Sequence, residues 1–463
     1  MSKKVWNSLL AVFTIAVTVL SACAPATTEA PATELPATEM PATEMPATEA
    51  PTEAPTEAPA TEAPAAGQVE IFSWWVGGGE AAGLTAMTEV FAQQYPDIEF
   101  VNAAVAGGSG TNARAVLATR LQANDPPDSW QAHAGQEIIG TYVAADQVAP
   151  LDDFFAETGF ADVLPETLLP LISQDGSPYS VPVNIHRSNV MWYNPTVLSD
   201  AGVEVPTTWD EFFAACDAIM AADKTCLALG PQWTAMHLFE NVMIGSLGAE
   251  GWNALWTEGA DWSSAEVTAA LENFSRALSY TNSDAAQLAD WQPAAQLVTN
   301  GDAAFNIMGD WADGYFENPD PDGLGLTAHE DFDWAPVPGT DGIFVFLSDS
   351  FVLPANAPNP EATNAWLTVA ASKEGQEAFN PVKGSICART DCDQSLFNEY
   401  LQSAAADWST DTVVGSLTHG VVASDSWKSE IDTALGLFLA NPTDVASFQT
   451  ALVEACASDG VCQ

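Results

Sequence analysis

The chain has 463 residues, of which 62 are Asp or Glu and 11 are Lys or Arg, so its formal net charge at pH 7 is −51. Such a charge repels phosphates and anionic headgroups, which excludes nucleic acid and acidic lipid surfaces as charge-driven partners. After residue 66 there remain about 400 residues, more than one hydrophobic core usually supports, and we expect two lobes.

The first 23 residues have the pattern of a secretory leader. Lys3 and Lys4 precede an apolar run from Leu9 to Leu20, and the run ends in Ser-Ala-Cys23. It is too short to span a bilayer, so we interpret it as a removable signal peptide. Cys23 resembles the lipid-modified cysteine of bacterial lipoproteins. This predicts a lipid-anchored protein on the periplasmic or cell-surface side; the alternative is an ordinary signal peptide with a chance cysteine.

Residues 24–66 repeat the sequences PATE and PTEA with almost no large apolar side chains. A segment of this composition buries too little surface to offset its ordering entropy. Its prolines favour extended polyproline II geometry, and its glutamates repel one another. We therefore predict a disordered stalk between the anchor and a globular part.

The six remaining cysteines form three pairs that are close in sequence. Outside the cytoplasm this favours three local disulfides, Cys216–Cys226, Cys387–Cys392 and Cys456–Cys462. Buried free thiols are the alternative. No Cys-x-x-Cys pair or His-Glu-x-x-His motif occurs, and the five histidines are scattered along the sequence. The sequence accordingly predicts neither a metal site nor a cofactor.

The globular part opens with a strand–helix–strand pattern. Val69–Trp74 is predicted as a buried strand, a helix follows from Glu80 until Pro96 stops it, and Asp97–Val105 is the next strand. Consecutive strands joined by a helix imply a parallel sheet and an α/β fold.

A second helix is predicted over about 112–122 and a third strand over 128–133. Parallel α/β sheets bind ligands beyond the carboxyl ends of their strands. Trp74 and Trp75 end the first strand, and Gln131 and His133 lie two residues apart at the end of the third, on one face. We therefore predict that these four side chains converge on a binding site.

The stretch Tyr179–Asn194 is interpreted as a crossing from one lobe to the other. Beyond it, Thr208 and Glu211 have capping-box spacing at the start of a helix, and a helix-rich region runs to about residue 292. Ala303–Trp311 is predicted as a strand that ends in a polar and aromatic rim.

The last third of the chain contains a long apolar strand, predicted over Gly342–Leu353 and interrupted by Asp349. Lys383 follows in a predicted loop, Asn-Pro-Val-Lys-Gly-Ser, and His419 lies in Ser-Leu-Thr-His-Gly. A final helix is predicted near Trp427–Ala440.

Several motifs, taken in order, give the chain a family resemblance. They are SWW, GGE, DPPDSWQAHAG, VPVNIHRSNVMWYN, PTTWDEF, FNIMGDW, LSDSF and NPVKGS. With the lipoprotein leader, they make the globular part resemble the extracellular sugar-binding proteins of bacterial ABC importers, solute-binding family 1. It is most similar to the glucose- and galactose-binding members.

The resemblance implies a periplasmic-binding-protein-like fold of type II, with two hinged lobes that each have a central β-sheet flanked by helices. It implies an N-terminal lobe at 67–180 with about 340–385 returning to it, and a C-terminal lobe at 181–339 with about 386–463. It also implies a sugar-binding set at the matching positions, which are Trp74, Trp75, Glu80, Gln131, His133, Trp291, Trp311, Asp349, Lys383 and His419.

The function that follows is a non-enzymatic, monomeric receptor that binds a monosaccharide, glucose or galactose, and delivers it to an ABC permease. A receptor for a pentose or a disaccharide is one alternative. A secreted glycoside hydrolase that uses Glu80 and Asp349 as its carboxylate pair is another, although no barrel or long cleft is evident in the sequence.

Overall fold

The structure is a computed structural model that describes residues 67–319 and 323–462. The predicted leader, Cys23 and the stalk at 24–66 lie outside the described residues. Within those two ranges, no helix is both long enough and apolar enough to cross a membrane.

Strands and helices alternate through the described chain. The strands, numbered in chain order, are β1 Gln68–Phe72, β2 Glu99–Asn102, β3 Ser129–His133, β4 Ser173–Gln174, β5 Ser177–Pro178, β6 Ser180–Pro182, β7 Asn184–Arg187, β8 Val190–Tyr193, β9 Thr225–Ala228, β10 Ala303–Ile307, β11 Asp333–Pro336, β12 Ile343–Leu347, β13 Asp349–Val352, β14 Ile386–Cys387 and β15 Thr412–Gly415. The α-helices are Gly78–Gln94, Thr111–Gln122, Asp152–Thr158, Pro195–Ala201, Trp209–Ala221, Gln232–Ala254, Ala265–Leu278, Trp291–Thr299, Trp311–Glu317, Pro360–Ala371, Lys373–Lys383, Glu399–Thr410, Asp425–Ala440 and Val445–Asp459.

The first sheet has the strand order β2-β1-β3-β13-β6. β1 lies parallel to β2 and to β3, as the strand–helix–strand pattern predicted, whereas β13 is antiparallel to β3 and β6. The helix Gly78–Gln94 connects β1 to β2, buries Leu84, Met87 and Phe91, and ends at Tyr95, just before Pro96. Their helical spacing explains why one face of this helix is apolar.

Two four-stranded sheets complete the fold. The second sheet has the order β11-β8-β10-β9, and the third has the order β14-β7-β12-β15. In the third sheet β12 is parallel to β15 and antiparallel to β7. β4 and β5 pair separately as a short hairpin.

The chain changes sheets at two short points. Val183 separates β6 of the first sheet from β7 of the third, and Ser348 separates β12 of the third from β13 of the first. The prediction of a single strand over Gly342–Leu353 was therefore wrong. Its two halves pair in different sheets, which a continuous strand cannot do. The exact lobe boundaries stay a prediction.

Two large apolar clusters give the molecule its two lobes. One is built around the first sheet and includes Phe91, Trp130 and Trp366, and the other is built around the second sheet and includes Phe239 and Trp252. Two cores are what a globular part of about 400 residues requires.

Two local predictions are confirmed. The Thr208 hydroxyl accepts the backbone N–H of Glu211 at 3.3 Å, and the Glu211 carboxylate accepts the N–H of Thr208 at 3.2 Å, which completes the capping box. The six cysteines form the three expected disulfides, so the free-thiol alternative is excluded. The bonds are Cys216–Cys226, Cys387–Cys392 and Cys456–Cys462.

Candidate ligand-binding site

A small cavity lies where the ends of β3, β12 and β13 approach the helices that follow β1 and β10. Eight of the ten predicted site residues line it, although they come from positions as distant in sequence as 74 and 419. The lining residues are Trp74, Glu80, Gly108, Ser109, His133, His186, Trp233, Trp291, Trp311, Leu347, Asp349, Lys383 and His419.

Asp349 is the buried centre of the polar groups. Its Oδ1 accepts the side-chain amide of Gln131 at 2.7 Å, and its Oδ2 accepts that of Asn184 at 2.8 Å. His133 Nε2 lies 3.7 Å from Oδ1, and His186 Nε2 lies 3.4 Å from Oδ2. Burial favours the neutral acid, but the hydrogen bond from His186 and the charge of Lys383 hold the pKa of Asp349 well below its usual value. Asp349 is therefore an ionised acceptor.

His133 is held by a buried carboxylate behind it. Its Nδ1 lies 2.6 Å from Glu137 Oε2, and the same oxygen accepts Arg114 Nη1 at 3.1 Å. Burial acts to raise the pKa of Glu137, yet the charges of His133 and Arg114 keep it below the usual value. The ring of His133 is thus fixed with Nε2 turned toward Asp349.

His186 has a matching partner on the other side of Asp349. Its Nδ1 is hydrogen-bonded to Asp310, whose second oxygen accepts the backbone N–H of Arg187 at 2.8 Å. Burial acts to lower the pKa of His186, but the charge of Asp310 and the hydrogen bonds to Asp310 and Asp349 together raise it above its usual value. Two carboxylate–histidine pairs therefore flank one central carboxylate.

Lys383 supplies the cation of the cavity. Its Nζ lies 3.3 Å from His186 Nε2, 3.5 Å from Glu80 Oε1 and 5.9 Å from the ring centre of Trp311. Burial raises the pKa of Glu80, and the charge of Lys383 partly offsets this. The predicted loop is wrong here, because Lys383 is the last residue of the helix Lys373–Lys383, which ends at Gly384 in a left-handed conformation.

Indole rings form much of the remaining lining. Trp74 lies 5.1 Å from His133, and Trp311 lies 5.1 Å from His419, measured between ring centres. Trp74, Trp291 and Trp311 are only 3–6% exposed, so these indoles are almost completely buried around the cavity. Indoles offer flat apolar faces to a ligand and can also hydrogen-bond through Nε1.

Two predicted residues do not line the cavity. Trp75 is 1% exposed and packs in the core with ring centres 5.7 Å from Phe351 and 4.9 Å from Phe379. Successive side chains of an extended segment point to opposite sides, so only Trp74 of the pair faces the ligand space. Gln131 lies one layer behind, where its Oε1 accepts the backbone N–H of Trp74 at 3.3 Å while its amide binds Asp349.

Sequence reasoning missed five lining residues. His186 lies inside the crossing segment Tyr179–Asn194, which the sequence led us to interpret only as a connection between the lobes. Trp233 is the second residue of the helix Gln232–Ala254 and lies outside any recognised motif. Gly108 and Ser109 belong to a Gly-Gly-Ser-Gly turn, and this turn is the signal that could have been noticed. Leu347 is the end of β12.

A third histidine network supports His419. Glu240 accepts the hydroxyls of Ser188 at 2.7 Å and Ser416 at 2.9 Å and the backbone N–H of Thr418 at 2.9 Å, and burial raises its pKa. Ser416 Oγ lies 2.9 Å from His419 Nδ1. Since the Ser416 hydroxyl is donated to Glu240, we assign Nδ1 of His419 as the donor to Ser416, which leaves Nε2 as an acceptor.

The same network contains a group whose geometry suits a metal ion. Ligand atoms of His237, Glu240 and His419 lie within 4.8 Å of one another. Burial lowers the pKa of His237 to about 3 and that of His419 well below 6.5, so both rings are neutral. The hydroxyls of Ser188 and Ser416 already donate to the carboxylate of Glu240, while Nε2 of His237 is buried without a hydrogen-bond partner among the described residues.

The described residues thus combine a two-lobed α/β fold with a polar and aromatic cavity. The family model for bacterial extracellular solute-binding proteins matches residues 74–377. The chain belongs to this family. Its fold and family therefore class it as an extracytoplasmic solute-binding protein rather than a glycoside hydrolase.

Individual relatives agree over most of the chain. An ABC transporter extracellular-binding protein of Pyrococcus horikoshii is 31% identical over 398 residues, which cover 85% of this chain and 88% of that protein. A xylose/arabinose-binding protein of Haloferax volcanii is 29% identical over 396 residues and 84% of each chain. The solved structure of the bacterial solute receptor AcbH, with a preference for β-D-galactopyranose, has a TM-score of 0.73 at 18% identity and covers 86% of this chain and 100% of its own.

Proposed function

We propose that this protein is the sugar receptor of an ABC importer, which encloses one aldohexose between its lobes and releases it to a membrane permease. Glucose is the first candidate and galactose the second. The observation that carries the proposal is the meeting of indole faces with buried, charged hydrogen-bonding groups in a single small cavity.

The aromatic part of the cavity suits the faces of a pyranose. A hexose ring presents C–H groups above and below its plane, and these pack against flat apolar surfaces. Trp74, Trp233, Trp291 and Trp311 offer four such surfaces around the same space. Stacking of this kind selects for a ring and against an extended, charged solute.

The polar part of the cavity suits the hydroxyls at the edge of the ring. Each hydroxyl both donates and accepts, and ionised partners form stronger hydrogen bonds with it than neutral ones do. Asp349 and Glu80 supply carboxylate acceptors, Lys383 supplies N–H donors, and Nε2 of His419 supplies a further acceptor. The hydroxyls of an uncharged sugar can hydrogen-bond to negatively and positively charged side chains at the same time.

The size of the cavity favours a single ring. The space enclosed between the indoles and the polar side chains is small, which favours one sugar ring over the two rings of a disaccharide. The xylose/arabinose-binding relative makes a pentose the alternative to these two hexoses.

Isothermal titration of the purified protein with glucose, galactose, mannose, xylose and maltose tests this proposal. We expect one site per chain, filled by glucose or galactose more tightly than by xylose, and no heat with maltose. Saturating glucose, at a hundredfold excess over its dissociation constant, should stabilise the fold by about 2.7 kcal/mol in thermal unfolding. If no monosaccharide gives heat or raises the melting temperature, the proposal is lost.

The same proposal places the receptor at the membrane. We propose that Cys23 carries the lipid, that residues 24–66 form the tether, and that the chain is monomeric. The tether would let the lobes at 67–180 with 340–385, and at 181–339 with 386–463, reach the permease. Cys23→Ala should release the protein from washed membranes into the soluble fraction. Retention of this variant on the membrane would contradict the anchor.

A further inference from the structure

Asp290 makes three hydrogen bonds at the edge of the cavity without lining it. Its Oδ1 accepts the indole N–H of Trp233 at 2.8 Å and the backbone N–H of Trp291 at 2.9 Å. Its Oδ2 accepts the backbone N–H of Gly108 at 3.0 Å. One carboxylate thus holds two cavity-lining tryptophans and the turn that contains Gly108.

The groups joined by Asp290 belong to different sheets. Gly108 lies in the turn after β2, which is a strand of the first sheet. Asp290 caps the helix Trp291–Thr299, which packs on β10 and β9 of the second sheet. The bond from Gly108 to Oδ2 therefore crosses the cleft, and it can exist only when the two sides are together.

The turn is shaped for this close approach. Gly107, Ser109 and Gly110 have φ values of 143°, 52° and 69°, a backbone path that L side chains rarely adopt. A Cβ on Gly108 would lie 2.5 Å from both Asp290 Oδ1 and a carbon of the Trp233 ring. The adjacent hydroxyl of Ser109 donates to the carbonyl of Thr418 at 3.2 Å.

We propose that Asp290 is a positioning residue for sugar binding, which latches the closed state by bonding the Gly108 turn while it holds Trp233 and Trp291 in place. The inference rests on the proposed function and extends it. The sugar selects the closed state through its own contacts, and the latch adds a contact that involves no sugar atom. The latch also predicts that a mutation beside the cavity changes the equilibrium between the open and the closed state.

Asp290→Asn separates the latch from the other roles of this residue. An asparagine keeps one oxygen for Trp233 and Trp291, and it remains a good helix cap. The second carboxylate oxygen is replaced by an NH₂ group, which cannot accept a hydrogen bond from the N–H of Gly108. We expect glucose binding, measured by titration, to be about threefold to tenfold weaker, because one hydrogen bond is lost. Asp444→Asn is the matched control, because Asp444 caps the helix Val445–Asp459 and is exposed.

Hydrogen exchange of the full chain provides the second readout. In the wild-type protein, glucose should slow exchange in peptides that contain Gly108, and Asp290→Asn should abolish this protection even at saturating glucose. Gly108→Ala should weaken glucose binding by at least about tenfold, since its Cβ overlaps Trp233 only when the cleft is closed.

The outcomes separate the latch from the function on which it rests. Weaker binding by Asp290→Asn with full protection at Gly108 would overturn the latch. Asp290 would then only hold Trp233 and Trp291 in place in the cavity. Wild-type affinity and protection in this variant would overturn the inference altogether. If the wild-type protein binds no glucose, the proposed function fails. The latch is then decided on the sugar-free protein, where unchanged exchange at Gly108 in Asp290→Asn overturns it.

Discussion

The cavity has two walls that differ in how they are held. The polar wall consists of side chains that are already paired with one another: Glu80, His133, His186, Asp349 and Lys383. The aromatic wall is formed by Trp233, Trp291 and Trp311 with His419, and Trp233 is held through Asp290. The polar wall is thus held by contacts among its own members, whereas Trp233 of the aromatic wall is held by a residue that does not line the cavity. Preorganisation of the charged groups lowers the cost of ordering them on binding.

The largest effect expected lies just behind the polar wall. Trp75→Ala removes an indole that packs against Phe351 and Phe379, and it should lower the free energy of unfolding by about 4 kcal/mol. The folded fraction should bind glucose with wild-type affinity. Denaturant unfolding and titration measure the two effects, and Val76→Ala, at a neighbouring exposed residue, is the control. A loss of glucose affinity without a loss of stability would show that Trp75 contacts the sugar and does not belong to the core.

The next effect concerns the centre of the polar wall. Asp349→Asn keeps the shape but leaves buried Lys383 and His186 without their shared counter-charge. Loss of one member of a buried charge pair costs about 3 kcal/mol, so glucose binding should weaken by more than about 100-fold. Titration beside Asp341→Asn, which is exposed, checks this. Binding within a few fold of the wild-type value would show that the polar wall does not depend on this charge.

A smaller effect is expected on the aromatic wall. Trp291→Ala should weaken glucose binding by about 2 kcal/mol, with less change in stability than the core substitution gives. Trp291→Phe should restore part of the affinity because it keeps an apolar ring. Trp408→Ala is the control for loss of a partly buried indole outside the cavity. Equal affinity for Trp291→Ala and the wild-type protein would remove Trp291 from the site.

The smallest effect is a pH dependence of the polar wall. Burial acts to lower the pKa of His186, but the charge of Asp310 and the hydrogen bonds to Asp310 and Asp349 together raise it in the folded state, so the charged form of His186 stabilises the fold. This contribution is full below pH 6.5 and is lost as the pH rises through the folded pKa.

The stability difference between the wild-type protein and His186→Gln should therefore shrink from pH 6 to pH 9. His237→Gln is the matched control, because burial keeps His237 neutral over this range and its effect should not vary with pH. A constant difference for His186→Gln would show that its charge does not stabilise the polar wall.

The sequence was informative where a local pattern determines structure. The capping box at Thr208, the helix that stops before Pro96 and the strand–helix–strand unit all follow from short-range chemistry. Eight of the predicted residues line one cavity because their motifs lie at or just beyond the ends of strands and helices that the fold brings to the cleft.

What could not be predicted depends on long-range pairing. The run Gly342–Leu353 looks like one strand until its halves are seen to pair with β7 and β15, and with β3 and β6. Trp74 and Trp75 are identical neighbours, and only their direction in the fold separates ligand space from core. Four histidines that are scattered in sequence meet around the cavity through the crossings at Val183 and Ser348.

A crystal structure of the protein grown with saturating glucose tests the central claim most directly. The account predicts a single pyranose between the polar and aromatic walls, with its hydroxyls on Asp349 and Lys383 and its ring faces against indoles, and with Asp290 bonded to Gly108. A closed protein with the cavity free of sugar, or glucose bound at any other place, would contradict it.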